Sequence, residues 1–492
     1  MNATQRTLLF LIADTGAGHR SAANAISNAI RNISQREQEE WLAHNAHVAA
    51  LQSAQEARTG QSTPGVATTT SILPTPTYRI EIVDVFEEYS RFPLREPLKL
   101  YGPTIRYNPR LYGEVFHISN REQTVLAGNA LTAPLILNGL LRLITTIQPD
   151  VIISIHPLLN HVTVRALREL GLCIPFLTVV TDLVSIHQSW FAEGVTGYAV
   201  PTEQAKELYL KRGLDPARVK VLGMPIDPKY TLPTDSKEAL RRKFDLELDL
   251  PVVLLVGGGD GAGGLQTSVR AISQARLPVQ LLVVTGRNRR LYAHLQRTRS
   301  SLYVPTKIFG FVQNMPELMR ASDVIVTKAG PGTICEALAC DLPIILSGYI
   351  PGQEEGNVDF VTKNNVGILA LHPTMLVNEL RRLLKPGSLE LHERLQNASK
   401  LSRAEASFDI ANYILSYLPV RGQAGLWQSV SWQQRQRRMT GRLRSAIRIR
   451  RLRARLPKPI LRSPVMRGLR RLRLRDISNE EHTTRPVDKK HL

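Results

Sequence analysis

Cysteine and long apolar runs are scarce in this sequence of 492 residues. The three cysteines, Cys173, Cys335 and Cys340, form neither a paired framework nor the spacing of a metal site, which predicts a reducing compartment. The first apolar run is short and has the length of a strand, so we expect no signal peptide. We find no run that approaches the length of a bilayer span, and therefore expect a protein that is soluble or attached to a membrane surface.

Acidic residues are absent from one long segment near the C-terminus. Residues 421–475 contain 18 Lys or Arg and no Asp or Glu, whereas the formal net charge of the whole chain is +21. Most of the excess charge therefore belongs to one segment, which is typical of an interaction tail. Such a tail attracts an anionic membrane surface or nucleic acid, or only keeps the protein in solution.

Buried-strand runs alternate with helical patterns through most of the chain, which predicts parallel sheets with helices on both faces. The alternation begins at residues 7–14 and restarts at "PVVLLVGGGDGAGG". We therefore predict an α/β protein with two Rossmann-like domains that face a cleft, at residues 1–222 and 223–420. A basic tail at residues 421–492, partly helical or disordered, would follow. Residues 35–77 are predicted to extend a helix and then form a flexible insertion.

The first glycine-rich turn, "DTGAGHR", contains a histidine. Gly16 and Gly18 precede His19, so the third glycine of a dinucleotide fingerprint is missing, although Asp84 could serve as its acidic residue. No Gly-Lys-Ser/Thr follows, as a P-loop requires. Two interpretations stay open: a tight strand-to-helix turn, or a place where an imidazole meets a substrate.

A stronger phosphate signal lies in the second half. The stretch "VTKAGPGTICEAL" places Gly330 and Gly332 between a strand and a helix whose first turn contains Thr333. Backbone N–H groups at a helix start bind anions, and Lys328 would add positive charge. Glu336 is an acceptor suited to two vicinal hydroxyls, or else a capping or surface carboxylate.

Two further stretches are candidates for the same site. The turn "GGGDGAGG" has more glycine than a tight turn needs, so its backbone can approach a ligand closely. The segment "YIPGQEEGNV" puts an amide and carboxylates at a helix start, where they either bind sugar hydroxyls or only complement the helix dipole. The candidate residues in these stretches are Gly258, Gly259, Gln353, Glu354 and Asn357.

Residues 87–120 are rich in aromatics, Arg and Pro and have no clean period. An irregular packed loop is the simpler interpretation, whereas a lipid-contacting surface would also suit this composition. The candidate acceptor or membrane contacts, in this region and in "TDLVSIHQSWF", are Tyr101, Arg106, Tyr107, Trp190 and Phe191.

The stretches "DTGAGHRSAANAI", "TDLVSIHQSWF", "GFVQNMPELMRASDVIVTKAGPGTICEAL" and "LPIILSGYIPGQEEGNV" resemble the monogalactosyldiacylglycerol synthases and processive diacylglycerol glucosyltransferases of glycosyltransferase family 28. The resemblance covers residues 8–418 apart from the insertion. It implies a GT-B fold and an inverting transferase that takes a hexose from a UDP-sugar without a metal or other cofactor. The implied acceptor is a membrane lipid, with diacylglycerol as the leading candidate.

The resemblance also implies roles for particular residues. It places the donor diphosphate at residues 330–333 and makes His19 the base that takes the acceptor proton, a task that suits the pKa range of histidine. The alternative bases are Asp182, His156 and His187, which lie at predicted strand ends or in loops. The chain departs from the family at Gln188, where a proline is usual, and this change bears on the acceptor pocket.

For an enzyme with a lipid acceptor, we expect the basic tail to bind the anionic inner face of the cell membrane from the cytoplasm, with nucleic acid as the less favoured partner. Two other functions stay open. One is a different UDP-sugar enzyme of the same fold, such as an N-acetylglucosaminyltransferase or a 2-epimerase. The other is a nucleic-acid-binding protein with vestigial catalytic domains.

Overall fold

The computed structural model describes residues 5–14, 17–59, 77–90, 109–257 and 264–419. These residues form two six-stranded sheets, one after the other along the chain, and every strand pairing in both sheets is parallel. The two predicted Rossmann-like units are therefore confirmed. The predicted basic tail lies outside the described residues, as does most of the second part of the predicted insertion.

The first sheet has the strand order β2-β1-β3-β4-β5-β6. Its second strand in this order, β1, pairs with both β2 and β3, and Leu8, Leu9 and Phe10 are completely buried. Helices cover both faces, which explains why this strand is a continuous apolar run and not an alternating one. The strands are β1 Gln5–Ile12, β2 Thr77–Asp84, β3 Val151–Ser154, β4 Phe176–Val179, β5 Gly197–Val200 and β6 Val219–Val221.

One helix of the first half extends beyond residue 35 as expected, whereas another was not expected. The helix after the glycine-rich turn continues to Thr59, and an eleven-residue helix begins at Pro109, inside the region for which no period was found. Proline at a helix start has its φ angle already fixed and needs no N–H partner. The helices are α1 Ala17–Thr59, α2 Val85–Tyr89, α3 Pro109–Ser119, α4 Glu122–Ile147, α5 Asn160–Leu170 and α6 Glu203–Leu210.

Helix α4 corrects the expectation that no segment approaches a bilayer span. By length and composition alone, its 26 residues pass the test for a membrane-spanning helix. In the structure one face of α4 packs into the core of the first half through Ile136, Leu140, Leu143 and Ile144. A core helix passes the same test, so this observation carries no further conclusion.

The second sheet has the order β12-β11-β10-β7-β8-β9. The short edge strand β12 was not predicted, because three residues give too little pattern to identify a strand. The strands are β7 Val252–Val256, β8 Gln280–Val284, β9 Thr306–Phe309, β10 Val324–Lys328, β11 Ile344–Gly348 and β12 Gly367–Leu369. The helices are α7 Lys237–Lys243, α8 Leu265–Gln274, α9 Arg289–Thr298, α10 Met315–Arg320, α11 Pro331–Ala339, α12 Glu355–Lys363, α13 Pro373–Leu383, α14 Leu389–Leu401 and α15 Ala406–Leu415.

The last described helix, α15, returns to the first half. Ile410, Ala411 and Ile414 belong to the same buried cluster as Leu8 and Phe10 of β1. The chain therefore returns to the first sheet after the second half, and α15 completes the packing of the first half. The domain boundary predicted between residues 222 and 223 stays a prediction.

Two glycines of α4 allow the packing of this helix to be tested. A methyl group on Gly139 would lie 2.1 Å from the carbonyl oxygen of Tyr89, whereas one on Gly128 would meet nothing within 4 Å. Gly139→Ala should lower the free energy of unfolding by about 1–3 kcal/mol through overpacking. Gly128→Ala, the matched control, should raise it by up to about 1 kcal/mol, because alanine favours helix.

Denaturant unfolding followed by circular dichroism measures both effects. Equal changes of the same sign in the two variants would contradict the packing of α4 against Tyr89.

Candidate active site

Ligands bind at the carboxyl ends of the strands in sheets of this type. In the first sheet, β1 leads into the first turn of α1, which contains His19, while β4 leads into Thr181 and Asp182. The side chain of His19 meets Thr181, since its Nδ1 lies 3.2 Å from the Thr181 hydroxyl oxygen. The glycine-rich turn and the loop after β4 therefore form one site.

His19 is held as a neutral imidazole. Burial lowers the pKa of His19 to about 4, against the opposing effects of a hydrogen bond to the Ile155 backbone and of the Asp14 charge. Its ring contacts the ring of His156 edge-on, with 4.7 Å between the centroids. A neutral imidazole has a lone pair with which to accept a proton, so His19 is in the state that a general base needs.

His156, the first alternative base, has a structural role as a helix cap. Its Nδ1 accepts a hydrogen bond from the Leu158 N–H at 3.3 Å, which caps the short 3₁₀ helix Pro157–Leu159. Burial, together with the neighbouring His19, lowers the pKa of His156 well below its ordinary value. The neutral ring of His156 packs edge-on against His19, and the residue is 3% exposed.

Asp182, the second alternative, is joined to a buried tryptophan. Its Oδ2 accepts the indole N–H of Trp190 at 2.7 Å and the backbone N–H of His187 at 3.4 Å. Burial raises the pKa of Asp182 to about 6, although both hydrogen bonds act against this. The Trp190 ring lies 6.5 Å from the ring of His19, so Asp182 belongs to the same cluster.

His187, the third alternative, connects the loop after β4 with α3. Its Nδ1 lies 2.7 Å from the Ser189 hydroxyl oxygen, and its Nε2 lies 3.3 Å from that of Ser119. The ring also contacts Phe116 of α3, with 5.1 Å between the centroids. Burial lowers the pKa of His187 to about 4. Both nitrogens are thus occupied in contacts that shape the loop.

In the second half, helix α11 begins with an open first turn. Gly330 is the N-cap residue and gives no side-chain cap, and Pro331 follows it without an N–H. The first available donors are therefore the N–H groups of Gly332 and Thr333. A side chain at Gly332 would meet no atom within 4 Å, so there is space above this turn. The arrangement suits an anion.

Lys328 and Glu354 form an ion pair beside this helix start. Their Nζ and Oε1 atoms are 2.5 Å apart, and Glu354 also accepts the Ile350 N–H at 2.9 Å through Oε2. The Nζ of Lys328 lies 3.2 Å from the place that a Cβ on Gly330 would occupy. In this structure Glu354 therefore uses both oxygens to hold Lys328 and the backbone, a role that the sequence did not suggest.

Glu336 lies in α11 and is half-buried. Burial raises the pKa of Glu336 to about 7, even though the Lys229 charge and a hydrogen bond from Tyr230 favour the ionised form. The sequence predicts a carboxylate that only accepts hydrogen bonds. At neutral pH, however, this group is close to half protonated until a ligand or an added charge favours ionisation.

The loop after β11 together with the start of α12, residues 350–356, reaches across to the first half. We call it the β11 loop. The hydroxyl of Tyr112 in α3 donates to Oε1 of Gln353 at 2.9 Å. The N–H of Gly356 donates to the hydroxyl of Ser185, in the loop after β4, at 3.1 Å. The carboxyl ends of β4 and β11 therefore meet, and the two candidate sites share one cleft.

Two predicted site residues are internal supports. Asn357 is 2% exposed and donates to the Ala329 carbonyl at 2.8 Å, so it connects α12 to the chain before α11. Asp84 accepts the Asp14 N–H at 2.8 Å and also caps α2. The acidic residue of the dinucleotide pattern is therefore engaged with backbone.

Trp190 corrects the prediction of a surface contact. Its side chain is 0% exposed, because it packs in the core of the first half and bonds to Asp182. It therefore has no surface to offer a membrane. Phe191 is half-buried, with its ring centroid 4.2 Å from that of Tyr209 and the guanidinium carbon of Arg212 at 3.5 Å.

The remaining predicted residues are Gly18 and six residues outside the described parts of the chain. Gly18 lies exposed in the first turn of α1, with nothing within 4 Å of an added Cβ. The following predicted residues lie outside the described parts of the chain, so their roles stay predictions: Gly16, Gly258, Gly259, Tyr101, Arg106 and Tyr107.

Sequence reasoning missed the partners that orient the site. Tyr112, Thr181, Ser185 and Tyr230 were not singled out, yet each contacts a candidate residue. One signal in the sequence could have identified Thr181 and Ser185, namely that both lie close to the predicted Asp182. Tyr112 and Tyr230 lie in stretches without a clear period.

Comparison with known proteins gives two family matches. Residues 70–226 match the family described as monogalactosyldiacylglycerol (MGDG) synthase. Residues 252–412 match the glycosyltransferase family 28 C-terminal domain. The two matched regions contain most of both sheets, and the second includes α11 and the β11 loop.

Several plant proteins are similar over most of the chain. "Probable monogalactosyldiacylglycerol synthase 2, chloroplastic" of Oryza sativa subsp. japonica is 35% identical over 421 residues, which cover 84% of this chain and 81% of the rice protein. "Monogalactosyldiacylglycerol synthase 3, chloroplastic" of Arabidopsis thaliana is 34% identical over 422 residues, with 83% and 81% covered.

Solved structures share the architecture at low sequence identity. The crystal structure of MurG from Acinetobacter baumannii has a TM-score of 0.50 and 14% identity, and covers 84% of this chain and 99% of that one. The MnaA–UDP co-structure from S. aureus has a TM-score of 0.50 and 13% identity, with 84% and 96% covered. These likenesses concern the fold alone and agree with the predicted GT-B architecture.

Proposed function

The chain belongs to the monogalactosyldiacylglycerol synthase family, and we propose that it is an inverting glycosyltransferase that moves galactose from UDP-galactose to diacylglycerol. At the coarser level it is a UDP-sugar-dependent hexosyltransferase that acts on a lipid. The identity of the sugar and of the lipid, and the inversion, are our proposal. The names of the relatives and the residues of the cleft support it.

One observation carries the mechanism. A neutral imidazole, His19, lies at the carboxyl edge of the first sheet, and an open helix start at Gly332 and Thr333 lies at that of the second. Contacts between the loops after β4 and β11 bring the two edges together. A base and an anion site on opposite walls are what a single displacement requires, because the nucleophile attacks opposite the departing diphosphate.

The proposed step conserves all atoms. The acceptor hydroxyl oxygen attacks the anomeric carbon, and the bond from that carbon to the UDP oxygen breaks. The hydroxyl proton passes to His19, and the electron pair leaves with UDP. The N–H groups at the start of α11, with Lys328 near Gly330, would stabilise the charge that develops on the diphosphate. The bound diphosphate would also raise the pKa of His19 towards the range of an effective base.

Glu336 and Gln353 would recognise the two ends of the donor. The ionised Glu336 side chain would accept hydrogen bonds from the ribose hydroxyls. Gln353 would face the hexose from the β11 loop. Glu354 and Asn357 would act mainly by shaping the wall on which the diphosphate rests, because Glu354 pairs with Lys328 and Asn357 donates to the Ala329 carbonyl.

The lipid acceptor implies a peripheral membrane enzyme. Four large apolar side chains of α3 and α4 are more than half exposed: Val115, Ile118, Leu126 and Leu131. Val115 and Ile118 lie within residues 87–120, the region that we predicted to contact lipid. The predicted inner face of the cell membrane finds no support in the relatives, which are named as chloroplastic. Membrane or nucleic-acid binding by the basic tail likewise stays a prediction.

A donor screen tests the function directly. The full-length protein is incubated with vesicles containing diacylglycerol and with UDP-galactose, UDP-glucose or UDP-N-acetylglucosamine, and the lipid product is identified by mass. We expect a monohexosyl product with UDP-galactose as the best donor. Transfer of a sugar other than galactose would show that the proposed donor is wrong. Hydrolysis of the UDP-sugar without a lipid product would contradict the proposed function.

The role of His19 is tested with two variants. His19→Ala and His19→Gln should each lower the turnover number by about a hundredfold or more, because neither residue can take the proton. Calorimetry should show UDP affinity within about twofold of the wild type. His294→Ala, which replaces a half-buried histidine that contacts Gln266, serves as the control. If UDP binding falls together with turnover, His19 is only a structural turn residue.

The raised pKa of Glu336 predicts a pH dependence of ribose binding. The ionised form accepts the hydroxyl protons, so affinity should fall as pH drops through 7. Uridine is the suitable probe because it has no phosphate that titrates. Its affinity should be about tenfold weaker at pH 6 than at pH 8. In Glu336→Gln the affinity should not change with pH, and a pH-independent wild type would contradict the assignment.

A further inference from the structure

The corner between helices α3 and α4 carries a polar side chain close to exposed apolar ones. Asn120 lies at this corner and is half-buried. Val115 and Ile118 precede it along the chain, Leu126 and Leu131 follow it, and all four are more than half exposed. A lipid whose acyl chains contact these apolar side chains would bring its polar part close to Asn120.

A backbone donor fixes the orientation of the Asn120 amide. The N–H of Gln188, in the loop after β4, donates to Oδ1 of Asn120 at 2.7 Å. Because a backbone N–H only donates, the atom that faces it is the amide oxygen, and the NH₂ group lies on the other side. Within the described parts of the chain, this NH₂ group has no hydrogen-bond partner. Its two N–H donors are therefore available to a ligand.

The loop that contacts Asn120 also carries part of the cluster around the base. Gln188 lies in the same loop as Asp182, which accepts the indole N–H of Trp190 at 2.7 Å. The ring of Trp190 lies 6.5 Å from the ring of His19. The Asn120 amide is therefore connected to the proposed base through a single loop of the first half.

The acceptor lipid needs hydrogen-bond donors of this kind. Diacylglycerol has one free hydroxyl and two ester groups, and an ester carbonyl oxygen only accepts hydrogen bonds. We propose that the NH₂ group of Asn120 donates to an ester carbonyl of the acceptor lipid. This rests on the proposed function, in which the free hydroxyl of that lipid reaches His19. Asn120 then distinguishes an ester-linked lipid from an ether-linked one, because a donor without its acceptor is left unpaired.

The test compares dioctanoylglycerol with the ether-linked dioctylglycerol, which has no carbonyl oxygens. Both are supplied at the same mole fraction in micelles of a neutral detergent, so that surface charge does not differ between them. For the wild type, kcat/KM should be about five- to tenfold higher with the ester lipid, the effect of one hydrogen bond.

Asn120→Asp is the decisive variant, because it keeps an oxygen for the Gln188 N–H and removes both N–H donors. Its kcat/KM with dioctanoylglycerol should fall about tenfold, and the ratio of kcat/KM between ester and ether lipid should approach one. UDP affinity, measured by calorimetry, should stay within about twofold, because the donor site lies in the second half. Asn138→Asp, at an exposed asparagine of α4, is the matched control and should leave all three quantities at the wild-type values.

Gln188→Pro separates lipid binding from support of the loop. Proline has no N–H, so this variant loses the contact with Oδ1 of Asn120 but keeps the NH₂ donors. We expect an ester-to-ether ratio between those of the wild type and Asn120→Asp, because the amide is then free to turn.

Two results would overturn the inference. One is an unchanged ester-to-ether ratio in Asn120→Asp. The other is an Asn120→Asp variant that behaves like the wild type while Gln188→Pro is equally impaired with both lipids, since Asn120 would then only support the loop. Failure of the proposed function gives a different result, because the wild type itself would form no glycolipid from either lipid with any UDP-sugar.

Discussion

The contact between the loops after β4 and β11 is the constraint on which the site depends. Each parallel sheet presents its ligand-binding loops at its carboxyl edge, and a reaction between two bound molecules requires the two edges to meet. The hydrogen bond from Gly356 to Ser185 and that from Tyr112 to Gln353 join them. Helix α15, which packs on the first sheet, ties the halves together a second time.

Burial then sets the protonation states within the cleft. The same removal from water that makes His19 neutral also raises the pKa of Asp182 to about 6 and that of Glu336 to about 7. Because Glu336 is partly protonated near neutral pH, the cleft carries less negative charge than its carboxyls suggest, which favours the binding of a diphosphate. The positive charge of Lys328 beside the anion site is paired with Glu354 in this structure.

The sequence predicted the elements with strong local patterns and missed those that depend on distant partners. Helix α5 has such a pattern, because its buried face is periodic and Gly171 ends it with a positive φ. Helix α3 was missed because its side chains pack against a loop over 200 residues away in the chain, where no local period is needed. The pairing of Tyr112 with Gln353, 241 residues apart, has no signature in a single sequence. The motif at residues 328–336 was recognisable because a strand, a glycine turn and a helix start must be contiguous.

The central claim is that a base in the first half and an anion site in the second act on one donor molecule. A crystal structure of the full-length protein with the slowly reacting analogue UDP-2-fluorogalactose tests it most directly. We expect the diphosphate on the N–H groups of Gly332 and Thr333, with the anomeric carbon facing His19 across the cleft. A diphosphate bound at the first glycine-rich turn, or an anomeric carbon facing away from His19, would contradict the account.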